Sequence, residues 1–190
     1  MVEFALVAPA CILTALAIID FAGYFGAQLS VEQASQAGAR YAAVQACSGS
    51  GTSCAVGAWS TATPPAAGSI EAVIVKASGD ARVQNQNCLS SGSAVPSFGP
   101  GATVPTAATS CISISYWDTT AGSAPTLCAY YNASTGWVFE GTYTATTCVV
   151  ANTDLVQVTV GYRYQPTTPL PATFTSAMAT NATTDLIVEN

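Results

Sequence analysis

The sequence predicts an α+β chain: a long N-terminal transmembrane helix followed by a disulfide-stapled, mostly antiparallel β-sheet domain. Three observations carry this. The apolar residues concentrate at the N-terminus, where Phe4 to Ile19 runs without a charge. Short alternating strand patterns fill the second half of the chain. Six cysteines all fall after the apolar segment, in sequence rich in Gly, Ser, Thr and Ala.

Composition narrows the function classes. Charged residues make up 7% of the chain and apolar ones 50%, where a soluble domain carries about 25% charge. That balance argues against an ordinary cytosolic enzyme and against a highly charged disordered chain. The net charge is −6, and Arg40, Lys76, Arg82 and Arg163 are the only bases. So few cations cannot neutralise a run of phosphates, which argues against nucleic acid as a partner. Histidine is absent, removing Ser-His and Cys-His catalytic pairs and the usual catalytic zinc sites. A serine hydrolase without histidine would need a Ser-Lys pair, with Lys76 as its one candidate base. We therefore expect no enzyme activity, no cofactor and no metal.

The N-terminal helix comes first. Glu3 and Asp20 are seventeen residues apart, or about 25 Å along a helix, close to the ~30 Å hydrocarbon layer of a bilayer. Both carboxylates then reach the interfaces, and Phe21, Tyr24 and Phe25 supply an aromatic belt at the Asp20 end. A cleaved secretory signal peptide is the rival reading. The MVEF start lacks a basic n-region, however, and helix formers continue without a break through SVEQASQAGARYAAVQ. Pro9 lacks an amide hydrogen and is expected to loosen the helix one turn upstream. Ala34, Gly38 and Ala42 recur at intervals of four, either as a stripe that another helix could approach closely or simply as small residues of an Ala-rich chain. The expected partition is residues 1–45 as a membrane and assembly helix and 46–190 as an extracytoplasmic α+β domain.

Beyond Gln45 the chain turns loop-like, with Pro64 and Pro65 as breakers. Ser69 to about Gln84 reads as a helix, with Ser69 as cap and Glu71 in the first turn. Strands are expected over Cys111–Trp117, Thr126–Tyr131, Trp137–Val150 and Asp154–Tyr164, with a closing strand within the final ATTDLIVEN. The clearest alternates through Val156, Val158, Val160, Tyr162 and Tyr164. Trp117, Tyr130, Tyr131 and Trp137 suit a core, with adhesion as the alternative use.

Cys11 lies inside the apolar helix and reads as a small hydrophobe. Cys47, Cys54, Cys88, Cys111, Cys128 and Cys148 suit three disulfides, with consecutive pairing favoured because it needs the fewest crossings. Disulfides place the domain on the oxidising side of the membrane. No C-x-x-C pair is present to suggest metal instead. Two glycosylation sequons, at Asn132 and Asn181, occur in a pattern common by chance.

The segment Val2–Ala43, VEFALVAPACILTALAIIDFAGYFGAQLSVEQASQAGARYAA, resembles the TadE-like family of tight-adherence (Tad/Flp) pilus systems. Glu3 and Phe4 open the motif and Pro9 follows them. Asp20 and Phe21 form its acidic-aromatic pair, and Ala34, Gly38, Ala39 and Arg40 its close. The stretch VQVTVGYRYQPTTPLP also resembles the strand and Pro-rich turn near the end of such proteins. The resemblance implies a pilin-like minor pilin or pseudopilin, trimmed by a prepilin peptidase and held in the cytoplasmic membrane until it joins a pilus. Its partners would be membrane lipid and other pilin-like subunits, met through the helix. Glu3 would pair with a terminal amine in the filament, since a carboxylate in low dielectric needs a partner. No leader or cleavage glycine precedes MVEF. The expected precursor therefore starts upstream, or processing does not occur; mass spectrometry of the native N-terminus separates the two. The alternative function is a membrane-tethered extracytoplasmic binding or adhesion module outside any pilus.

Overall fold

The computed structural model describes residues 2–46, 56–60, 62, 64–81, 83, 87–89, 96, 110–120, 124–145, 147–149, 153–166 and 179–188, with backbone alone for 2–6, Asp80 and Ala179. One helix, α1, runs Val2–Ala46 and continues through Pro9. Its 45 residues make a rod of about 67 Å. A short helix, α2, follows at Ile70–Ala77, then a 3-10 turn at Gly79–Ala81. Five strands complete the fold: β1 (Ser110–Asp118), β2 (Thr126–Asn132), β3 (Gly136–Phe139), β4 (Leu155–Arg163) and β5 (Ala179–Ile187). They form one sheet in the order β3-β2-β1-β4-β5, antiparallel throughout. The α+β expectation holds.

The helices cover one face of this sheet. Val156, Val158 and Val160 of β4 alternate inward with Ile112, Ile114 and Tyr116 of β1, all fully buried. They meet Val31, Ala34 and Ala42 of α1 and Ile70 and Ile74 of α2 in a single core. The opposite face is polar and held by side-chain bonds between neighbouring strands. Gln157 donates to the Asp185 carboxylate at 2.9 Å, and the Thr159 and Thr183 hydroxyls pair at 3.0 Å. Each β4 residue thus alternates between apolar packing and polar pairing, which is the period-2 geometry of a strand.

Two expectations of extent are corrected. The helix after Ser69 ends at Ala77 rather than near Gln84. Ser69 caps it by accepting from the Ala72 amide, whereas Gly79 adopts φ +47°, a left-handed conformation that stops a helix. The strand expected from Trp137 to Val150 is cut to Gly136–Phe139. Gly141 turns the chain at φ +59°, and the Glu140 amide donates to the Cys128 carbonyl at 3.0 Å. The chain then returns to Cys148, which pairs with Cys128. Aromatic and β-branched content beyond Phe139 therefore marks packing rather than pairing.

Candidate functional site: the N-terminal helix and its seat

A single helix passes through two environments. From Val7 to Ile19 its side chains are almost all exposed, including Ile12 (60%) and Leu13 (67%). From Ala27 onward one face is buried: Val31, Ala34, Ala39 and Ala42 have no exposure at all. Gly38 explains how closely the distal half packs. A Cβ at that position would collide with the Ile74 side chain of α2 and touch Val158 of β4. The helix that approaches the Ala34, Gly38, Ala42 stripe in this structure is thus α2 of the same chain.

Asp20 marks the transition. It is 4% exposed, although Ile18, Ile19 and Phe21 around it are each at least 60% exposed. Tyr164, one residue past β4, crosses the helix one turn above. Its hydroxyl occupies the space a side chain at Gly23 would need, and its ring lies edge-on to Tyr24 at 5.9 Å. Burial first, then the nearby Asp20 carboxylate and Tyr162, raise the Tyr164 hydroxyl above its ordinary pKa. Sequence reading missed Tyr164 in this role. Gly23 was the available signal, but a glycine in an Ala-rich apolar helix does not name the residue 141 positions away that fills its space.

The remaining candidates are dispersed. Glu3 and Phe4 lie on the first turns of α1, with their side chains outside the described atoms. Pro9 is exposed within the helix. Arg40 faces outward and lines a groove with Val44, Asp185 and Ile187 at the far end of the helix. Cys88 pairs with Cys111 and Cys128 with Cys148, at Cα separations of 4.8 and 5.4 Å. Both are pairings of sequence neighbours; Cys47 and Cys54 lie outside the described residues. The first bridge holds Asn87–Leu89 beside β1, where the Cys88 amide donates to the Ile112 carbonyl and the Asn87 side chain to the Tyr131 carbonyl. Cys11 is free and exposed. Trp117 and Tyr131 are buried, while Tyr130 and Trp137 are half-buried.

A further buried group lies in the seat of the helix. Glu71, on the first turn of α2, has no exposure, and one carboxylate oxygen accepts from the Ser60 amide at 2.7 Å. The other has no hydrogen-bond partner among the described residues. Burial raises its pKa from 4.5 to about 7, partly offset by bonds from its own amide, the Ser60 amide and the Ser69 hydroxyl. Sequence reading placed Glu71 at a helix start, but its burial depends on the 56–60 segment folding over it.

The family model described as TadE-like protein matches residues 1–40. Over that stretch the N-terminal helix is similar to the TadE-like family. The match ends within the buried stripe, so it covers the projecting half of α1 and most of the half that packs on the sheet. No curated protein and no solved structure matches the chain. The TadE-like helix is also long and apolar enough to cross a membrane. Together these features fit a membrane-anchored protein associated with Tad pili.

Proposed function

We propose that the chain is a minor pilin or pseudopilin of a Tad/Flp-type pilus. Its TadE-like helix is held in the cytoplasmic membrane, and its sheet domain lies on the outer side. One observation supports this above the others: the family match covers the stretch of α1 that projects, apolar and exposed, from an otherwise packed fold. An exposed apolar surface of this extent in water is costly, at about 25 cal/mol per Å². Lipid before assembly and neighbouring pilin-like helices after it remove that cost. The role is structural rather than enzymatic. Glu3 pairs with a terminal amine of a neighbouring subunit, and a prepilin peptidase trims the precursor.

The test is complementation of a deletion strain with Glu3→Ala, scored by filament counts and by the melting temperature of the purified protein. Filaments should fall sharply while melting is unchanged. Normal piliation with Glu3→Ala removes the proposed pairing, and normal piliation in the deletion strain itself removes the pilus reading.

A further inference from the structure

We propose that the sheet domain rests directly on the lipid headgroups, with Tyr164 extending a partial aromatic collar on one side of α1 at the outer interface of the membrane. This rests on the reading of α1 as a membrane span. Its new content is a second lipid-contacting surface, supplied by the folded domain rather than by the helix.

The collar is assembled from two parts of the chain. Phe21 and Phe25 stand on the outward side of the helix, 61% and 47% exposed, with ring centroids 4.6 Å apart. Tyr24 lies 6.0 Å from Phe25 and 5.9 Å from Tyr164, which extends the row towards the domain. Four aromatic rings therefore form a continuous arc around one side of the helix, within little more than one turn. Phe21 to Phe25 spans about 6 Å of helix, so a boundary layer centred on Gly23 has Phe21 on its hydrocarbon side and Tyr24 and Phe25 on its headgroup side. Amphipathic rings collect in that layer because it is apolar on one side and wet on the other.

Depth and charge agree with this placement. A hydrocarbon layer of about 30 Å ending at Gly23 begins twenty residues earlier, at Glu3. Asp20 would then lie about 4–5 Å inside the layer. A lipid-facing carboxylate there would be costly, but Asp20 is turned into the protein at 4% exposure while its neighbours face outward. No free stalk separates collar from domain. Ala27 is already buried at 6%, and Arg163, the residue before Tyr164, is still paired with Ala179 of β5. The lower end of the sheet must therefore sit at headgroup level if the collar does. Lipid is the occupant favoured for Phe21 and Phe25 because their surface continues the exposed apolar span from Val7 without an intervening exposed charge.

The test uses the full chain carrying Cys11→Ser, reconstituted at low protein density into vesicles of phosphatidylethanolamine and phosphatidylglycerol. Nitroxide labels go on Leu13→Cys in the span, Gln165→Cys beside Tyr164, and Ala124→Cys, an exposed residue at the opposite end of the sheet. Collision rates are read with oxygen and with a water-soluble nickel chelate. The oxygen-to-nickel ratio at Gln165 should lie several-fold above that at Ala124 and below that at Leu13. Adding Tyr164→Ala should bring it down towards the Ala124 value, whereas Tyr164→Phe should preserve it. Equal ratios at Gln165 and Ala124, with Leu13 in lipid, overturn the proposal and leave the anchor standing. Shielding of Gln165 from both reagents also overturns it, pointing to a second copy of the chain. An aqueous ratio at Leu13 overturns the anchor, and the proposal with it.

Discussion

One half of α1 is apolar and projects bare, while the other is amphipathic, with Glu32, Gln33, Gln36 and Arg40 exposed and a face of small residues buried in the domain. They differ in side-chain size. Ile12, Leu13, Leu16, Ile18 and Ile19 crowd the projecting half, whereas Ala34, Gly38, Ala42 and Ala46 line the buried face of the packed half. Small residues let the α1 backbone come close enough for Ile74 and Val158 to fill the gap. Large ones present area to a fluid environment that needs no matching shape. Hydropathy separates an apolar half from an amphipathic one; size says which face has a close partner within the chain.

Disulfide removal should separate the halves most. Cys88→Ser cuts a link that closes 23 residues, and should lower stability by about 2–4 kcal/mol in denaturant titration. Cys11→Ser, in the projecting half, should leave the transition unmoved. A comparable loss from Cys11→Ser would show that the exposed half contributes to the folded domain.

Two glycines on the same helix offer a finer contrast. Gly38→Val must displace Ile74, at a cost of about 1–3 kcal/mol in thermal unfolding. Gly26 has nothing near its missing Cβ, so Gly26→Ala should be neutral or should stabilise by up to about 1 kcal/mol through helix propensity. Equal effects at the two sites would remove the size argument.

Glu71 tests the seat by pH. Its folded pKa of about 7 lies above the ordinary 4.5, so the folded state holds the proton more tightly than the unfolded one. The associated stability is fully present below about pH 4.5 and is lost as pH rises through 7. Unfolding free energy should fall by roughly 1–3 kcal/mol between pH 5 and pH 8. Glu71→Gln should flatten that slope; a slope unchanged by the substitution assigns it to other groups. A smaller loss is expected at the α2 cap, where Ser69→Ala should cost about 1 kcal/mol, read as a lower denaturation midpoint.

Local patterns carried most of the fold. β4 was readable because Val156, Val158 and Val160 alternate with polar residues, and the sheet uses that alternation on both faces. The Ser69 cap was readable because capping is a contact three residues long. Strand ends were less so. Trp137 to Val150 keeps strand-like content past the point where Gly141 turns the chain towards Cys148. Residue types state a preference for burial or extension, while pairing depends on where the next strand lies.

Order, sequence length and hydropathy were sufficient for a long apolar N-terminal helix, an antiparallel sheet and sulfur cross-links, because each is set by interactions within a few residues or by the oxidation of cysteines. The partners of the individual side chains were not. Asp20 reads as an interfacial acid, and Gly38 as a site for any approaching helix. Folding sets Tyr164 over Asp20 and Gly23, and Ile74 over Gly38. Such contacts join residues far apart in the chain, and they follow from the register of β4 and the docking of α2, which no local preference encodes.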